Sequence, residues 1–140
     1  MPKPKFHNPS VYRSGLETKF QNACLEKGWN FPYEQTKIKY IIPESTHTYT
    51  PDFQVTSNVF IETKGLWTAT ERKKARLVKE QHPDKTILYV LQRNQKLTRS
   101  SNTTYLDWAI KHGIDACLFS NKEHWQEFIL KHLWTSQHKW

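Results

Sequence analysis

The sequence predicts one α/β domain, a mixed central β-sheet flanked by helices. Three observations lead there. At 140 residues the chain is long enough to bury a core without disulfide staples. Hydrophobic residues make up 36% and charged residues 24%, as in a soluble globular domain. Stretches of twofold and of helical apolar periodicity follow in the order α-β-β-β-α-β-α-β-α, with no internal repeat and no linker between domains.

Residues 1–12, with prolines at positions 2, 4 and 9, form a flexible arm; residues 13–134 form the domain and 135–140 a tail. The first helix starts at Ser14, where Ser14 and Glu17 make a Ser-x-x-Glu capping pattern. Leu16, Phe20, Ala23 and Cys24 follow at helical spacing, and Gly28 is the stop. The segment Gln35–Ile42 alternates as a strand, with Thr36, Ile38 and Tyr40 on one face, and Pro43 ends it. Asp52–Val55 and Val59–Lys64 form two strands joined by Thr56-Ser57-Asn58, and Gly65 closes the second. A basic helix covers Thr70–Gln81, and Thr86–Leu91 is a buried strand. Residues 93–104 form a polar, basic loop, then come a short helix over Tyr105–His112 and a strand over Ile114–Phe119. The last helix begins at Ser120, capped by Ser120 and Glu123, and buries Trp125, Phe128, Ile129 and Leu133.

The formal net charge is +8, from 21 Lys and Arg against 13 Asp and Glu. A polyanion, nucleic acid first, is the natural partner for that balance, with solubility as the plain alternative. Arg72, Lys73, Lys74, Arg93, Lys96 and Arg99 are candidate phosphate contacts, against the alternative of a solvated face. No base-reading motif is present. Nor is there a secretory leader or an apolar run of about 18 residues, so a cytoplasmic protein without a membrane partner is expected. Cys24 and Cys117 lack metal-ligand spacing and are expected to be buried free thiols. The seven histidines show no zinc-binding spacing.

The informative stretch is Thr50-Pro51-Asp52-Phe53 followed by Val59–Gly65. With the turn centred on Ser57, Asp52 faces Glu62 across the hairpin with Cβ atoms about 5 Å apart. Side chains alternate along a strand, so Asp52, Glu62 and Lys64 share one face. Two opposed carboxylates repel and call for a cation. Lys64 supplies one charge, and a hard divalent ion on the carboxylate oxygens would supply the rest. Such an ion suits phosphodiester hydrolysis, with Lys64 placing or deprotonating water or offsetting charge on the phosphate. The plain alternative is a salt-bridged surface. An apolar opposite face (Phe53, Val55, Val59, Ile61) and a basic chain weigh against it.

Pro51-Asp52, nine residues, then Glu62-Thr63-Lys64 resembles the PD-(D/E)xK (restriction-endonuclease-like) nuclease core. Arg13-Ser14-Gly15-Leu16-Glu17, His47–Phe53 and Glu62-Thr63-Lys64-Gly65-Leu66-Trp67 resemble, more narrowly, the phage endonuclease I family. Arg72-Lys73-Lys74 and Glu80-Gln81-His82-Pro83 fit in order, and the resemblance spans about residues 13–115. It implies an Mg²⁺-dependent endodeoxyribonuclease, with Mn²⁺ as substitute and one or two ions per site, that resolves four-way (Holliday) and other branched DNA junctions. It also implies an intertwined, domain-swapped homodimer, each site taking its helix glutamate from the other chain. Glu17 would be that glutamate, Asp52 and Glu62 the metal carboxylates, Lys64 the catalytic lysine, and the Thr63 carbonyl a further ligand; Arg13 would join the DNA contacts. By its residues alone Glu17 is a capping glutamate. The chain departs from the family at its end, where His132, Trp134, His138 and Trp140 replace a lysine-rich tail. Two alternatives stand beside this reading: another nuclease on the same core, of restriction or mismatch-nicking type, and a non-catalytic DNA-binding module. No small-molecule substrate is expected.

Overall fold

The computed structural model describes residues 15–42 and 45–137. The expected arm, Arg13, the Ser14 cap, the Pro43 stop and His138–Trp140 of the tail lie outside the described residues. The elements are α1 (Gly15–Glu26), β1 (Ile38–Ile42), β2 (Ser45–Tyr49), β3 (Phe53–Thr56), β4 (Val59–Lys64), α2 (Ala69–Gln81), β5 (Thr86–Leu91), α3 (Tyr105–Lys111), β6 (Asp115–Leu118) and α4 (Lys122–Gln137).

A four-stranded mixed sheet runs in the order β3-β4-β5-β6, antiparallel at β3–β4 and parallel at β4–β5 and β5–β6. The two parallel pairs are joined through α2 and α3, the crossover connection that parallel strands require. On one face, Phe53, Ile61, Leu88, Val90 and Cys117 pack with Phe20 of α1 and Trp125 and Ile129 of α4. On the other, Tyr89 and Leu91 meet Trp67, Ala75 of α2 and Tyr105 and Ala109 of α3. The β1–β2 ribbon lies over that second face, where Ile38, Tyr40 and Tyr49 pack with Phe60 and Val78.

Local chemistry explains the boundaries. Helix α1 ends where Gly28 takes φ 79°. Its N–H donates to Leu25 O at 2.9 Å and the N–H of Trp29 to Cys24 O at 3.0 Å, the Schellman arrangement that a Cβ would strain. Thr68 caps α2, and Thr104 and Asp107 form a reciprocal capping box on α3. Cys24 and Cys117 are buried free thiols, and burial pushes Cys117 up to about 12. No described helix is long and apolar enough to cross a membrane.

The structure departs from the sequence reading at β1 and β2 and at the start of α4. The strand expected over Gln35–Ile42 starts only at Ile38, and β2 was not expected at all. These two pair with each other, Ile38 opposite Tyr49, outside the central sheet. The cap of α4 is Asn121 and not Ser120: the Asn121 side chain accepts from the His124 N–H at 3.4 Å. Helix α4 runs on to Gln137.

Candidate active site

The β3–β4 hairpin carries the expected register at its open end. Phe53 faces Ile61 and Gln54 faces Phe60, the pairing that sets Asp52 beside Glu62. Towards the turn the register slips, so that Thr56 faces Val59 and Val55 is the extra, bulged residue. The link is therefore the two residues Ser57-Asn58, and not three.

Asp52 precedes β3 and is released from the strand pleat. Its Oδ2 accepts the Thr63 N–H at 2.8 Å and the Thr63 hydroxyl at 2.9 Å. The carboxylate thus takes the place of a strand carbonyl and lies at the sheet edge, open to both faces. Its own N–H donates to Glu62 Oε1 at 3.1 Å. The expected single-faced arrangement is replaced by two groups joined at Asp52.

On the α2 side stand Glu62 and Lys64. Glu62 Oε1 accepts the Tyr49 hydroxyl at 3.0 Å, and Oε2 meets Lys64 Nζ at 3.2 Å. Lys64 Nζ also donates to Glu71 Oε2 at 3.0 Å. Burial holds the Glu62 carboxyl above its ordinary value in spite of Lys64 and the Tyr49 hydroxyl. Burial also pushes the Tyr49 phenol far up, helped by the Glu62 charge, so it remains a donor. Burial pulls Lys64 down, but Glu62 and Glu71 outweigh it and leave the amine above its usual range.

On the α1 side, oxygens of Glu17, Glu34 and Asp52 all lie within 4.8 Å of one another. Glu17 is buried in the first turn of α1, and its Oε2 accepts the Tyr33 hydroxyl. Glu34 is brought in by an isolated bridge, Tyr33 opposite Phe53, with the Glu34 N–H donating to Asp52 O at 2.9 Å. Asp52 sits well above the usual carboxylate range, first through burial, then through the charges of Glu62 and Glu17. Glu62 is not part of this trio; its oxygens meet the Tyr49 hydroxyl, the Asp52 N–H and the Lys64 ammonium. Sequence reasoning missed Glu34, which follows no strand or helix period and sits at a φ of 50°. The one available signal was an acid beside a tyrosine in a stretch rich in aromatics.

The basic residues separate. Lys73 is exposed on α2, and Arg93, Lys96 and Arg99 are exposed on the loop between β5 and α3. Lys74 is half-buried, its ammonium 5.2 Å from the Tyr49 ring centre. Arg72 does not join that surface. It is 9% exposed, donates to the Trp67 carbonyl, and lies 5.7 Å from the Trp108 ring centre. Desolvated and satisfied there, its guanidinium braces α2 against α3.

The chain matches the family described as phage endonuclease I over residues 3–129. Endodeoxyribonuclease 1 of Enterobacteria phage T3 is 48% identical over 113 residues, which cover 80% of this chain and 72% of that protein. Endonuclease I of Escherichia phage T7 is 47% identical over 105 residues, which cover 74% of this chain and 70% of that protein.

Proposed function

The chain belongs to the phage endonuclease I family, and from that premise we propose that it is a metal-dependent endodeoxyribonuclease that resolves four-way and other branched DNA junctions. The observation that carries the reading is the buried Asp52 carboxylate, held between the Glu17–Glu34 acids and the Glu62–Lys64 pair.

The donor set fits a hard cation. All the convergent atoms are carboxylate oxygens, the ligands Mg²⁺ and Mn²⁺ prefer, and carboxylates this close repel one another. Asp52, Glu17 and Glu34 would hold such an ion, with Glu62 and the Thr63 carbonyl as the further ligands that the resemblance implies. A bound divalent ion supplies positive charge that polarises phosphoryl oxygens and acidifies water. The chain's own groups do the rest. Thr63 and Tyr49 fix the two carboxylates by hydrogen bonds. Lys64, held as an ammonium, offsets charge developing on the scissile phosphate rather than accepting a proton. Lys73, Lys74, Arg93, Lys96 and Arg99 would hold the DNA backbone, whose geometry rather than sequence defines a branch.

A homodimer working in the host cytoplasm belongs to the same proposal. Glu17 reaches Asp52 within one chain here, and exchange of α1 with a second copy would reproduce the same contacts.

Cleavage of a four-way junction, with a linear duplex of the same sequence beside it, tests the reading. Nicking that requires Mg²⁺ and prefers the junction is expected. No metal-dependent cleavage of either DNA would defeat it, and equal cleavage of both would remove the junction from it.

A further inference from the structure

Lys64 is held by two carboxylates, and the second belongs to no strand. Glu71 Oε2 lies 3.0 Å from Nζ and Glu62 Oε2 lies 3.2 Å away. Glu71 stands at the third position of α2, its N–H donated to the Thr68 hydroxyl at 3.2 Å. An acid there ordinarily returns to the cap residue's own N–H and closes a capping box. Helix α3 does this with the same Thr-x-x-acid spacing: Asp107 accepts the Thr104 N–H at 3.1 Å. Helix α2 does not. Its acid reaches seven residues back along the chain to Lys64 instead.

We infer that Glu71 is a positioning residue for DNA cleavage, keeping the Lys64 ammonium in place when Glu62 is given over to a cation. The inference rests on the proposed nuclease reading. A cation drawn to Glu62 competes with Lys64 for the same carboxylate and repels its ammonium. With Glu62 as its only partner, a long flexible lysine would turn to solvent. Glu71 stands apart from the Glu17–Glu34–Asp52 trio and keeps its charge for the lysine. Its backbone is fixed by the helix cap, so the anchor is a rigid one. The Lys74 charge, which bears on Glu71 together with that of Lys64, ties the anchor to the basic face of α2.

The test compares the full-length protein with Glu71→Gln and Glu71→Asp, reading junction cleavage in Mg²⁺, junction affinity without metal, and the Lys64 ammonium ¹H–¹⁵N signal. Glu71→Gln is expected to lower kcat about ten- to a hundredfold, the scale of a small misplacement of a reacting group. KM and junction affinity should stay within about twofold, as befits a residue outside uniform binding. Glu71→Asp, which restores the charge, is expected to recover part of the loss, and the Lys64 signal should broaden in Glu71→Gln alone. An unchanged kcat in Glu71→Gln overturns the inference. So does a fall of kcat and affinity together, in proportion to unfolded protein. If wild type cleaves and Lys64→Ala does not while Glu71→Gln is fully active, only Glu71 loses its role. A wild type without metal-dependent cleavage overturns both readings.

Discussion

Two neighbouring residues of β4 face opposite situations. Ile61 is fully buried among Phe20, Phe53 and Trp125, with the Phe20 ring 4.9 Å from Trp125 and 5.3 Å from Phe53. Each group there lowers the free energy by leaving water. Glu62, one residue on, is buried nearly as deeply, at 6% exposure, and burial works against it. Asp52 beside it sits well above its ordinary value, first through burial and then through the charges of Glu62 and Glu17. The apolar face is where the fold is stabilised. The sheet edge is held in place by that face, and its carboxylates are kept close together in spite of their mutual repulsion.

The largest effect should come from neutralising the acids. Glu62→Gln and Asp52→Asn are expected to cut junction cleavage on the order of 10³-fold, while junction affinity without metal stays near wild type. The comparison adds a second outcome: Asp52→Asn should make the metal-free protein more heat-stable. Asp52 has a folded pKa raised well above its ordinary value of 3.8, so folding takes up a proton there. The stability it contributes is present below that value and is lost as pH rises through the raised folded pKa. The Tm gap in favour of the variant should therefore open with rising pH and close in acid. Added Mg²⁺ should narrow it by stabilising wild type alone. A variant less stable than wild type at neutral pH would break the contrast between the two regions.

The opposite result is expected on the apolar face. Trp125 is fully buried and its indole N–H donates to Phe119 O at 3.0 Å. Trp125→Ala should cost about 3–5 kcal/mol of unfolding free energy, read from the urea midpoint. Cleavage per folded molecule should hardly change. A loss of turnover comparable to that of Glu62→Gln would mean that the packed face acts in the chemistry and not only beneath it.

What the sequence made legible follows the same division. Strong periodicity located α1, β4, β5 and α3 closely, and hairpin arithmetic set Asp52 beside Glu62. Strand β2 escaped because Ser45-Thr-His-Thr-Tyr offers a single buried side chain, Tyr49, and no apolar alternation. Arg72 looked like its neighbours Lys73 and Lys74. Only the Trp67 carbonyl and the rings of Tyr105 and Trp108, all distant in sequence or across a loop, draw it inward. Glu34 reaches Asp52 through one bridge between the α1–β1 connection and β3, a contact without periodicity. The acids that pair within a hairpin could be read from spacing. Those brought in by tertiary docking could not.

The finest distinction concerns the start of α4, the helix that seals the apolar face. The Ser-x-x-Glu pattern named Ser120 as the cap, whereas the Asn121 side chain is the acceptor for the His124 N–H. Both residues are exposed, so burial does not separate them. Asn121→Ala removes a partner from a free helix N–H and should cost about 1 kcal/mol. Ser120→Ala touches no cap and should stay within about 0.5 kcal/mol of wild type. Because Trp125 and Ile129 of α4 pack on the apolar face, the Asn121 loss should appear in the urea midpoint and leave junction cleavage per folded molecule untouched. A larger loss at Ser120 than at Asn121 would restore the sequence-based cap and shift the helix start by one residue.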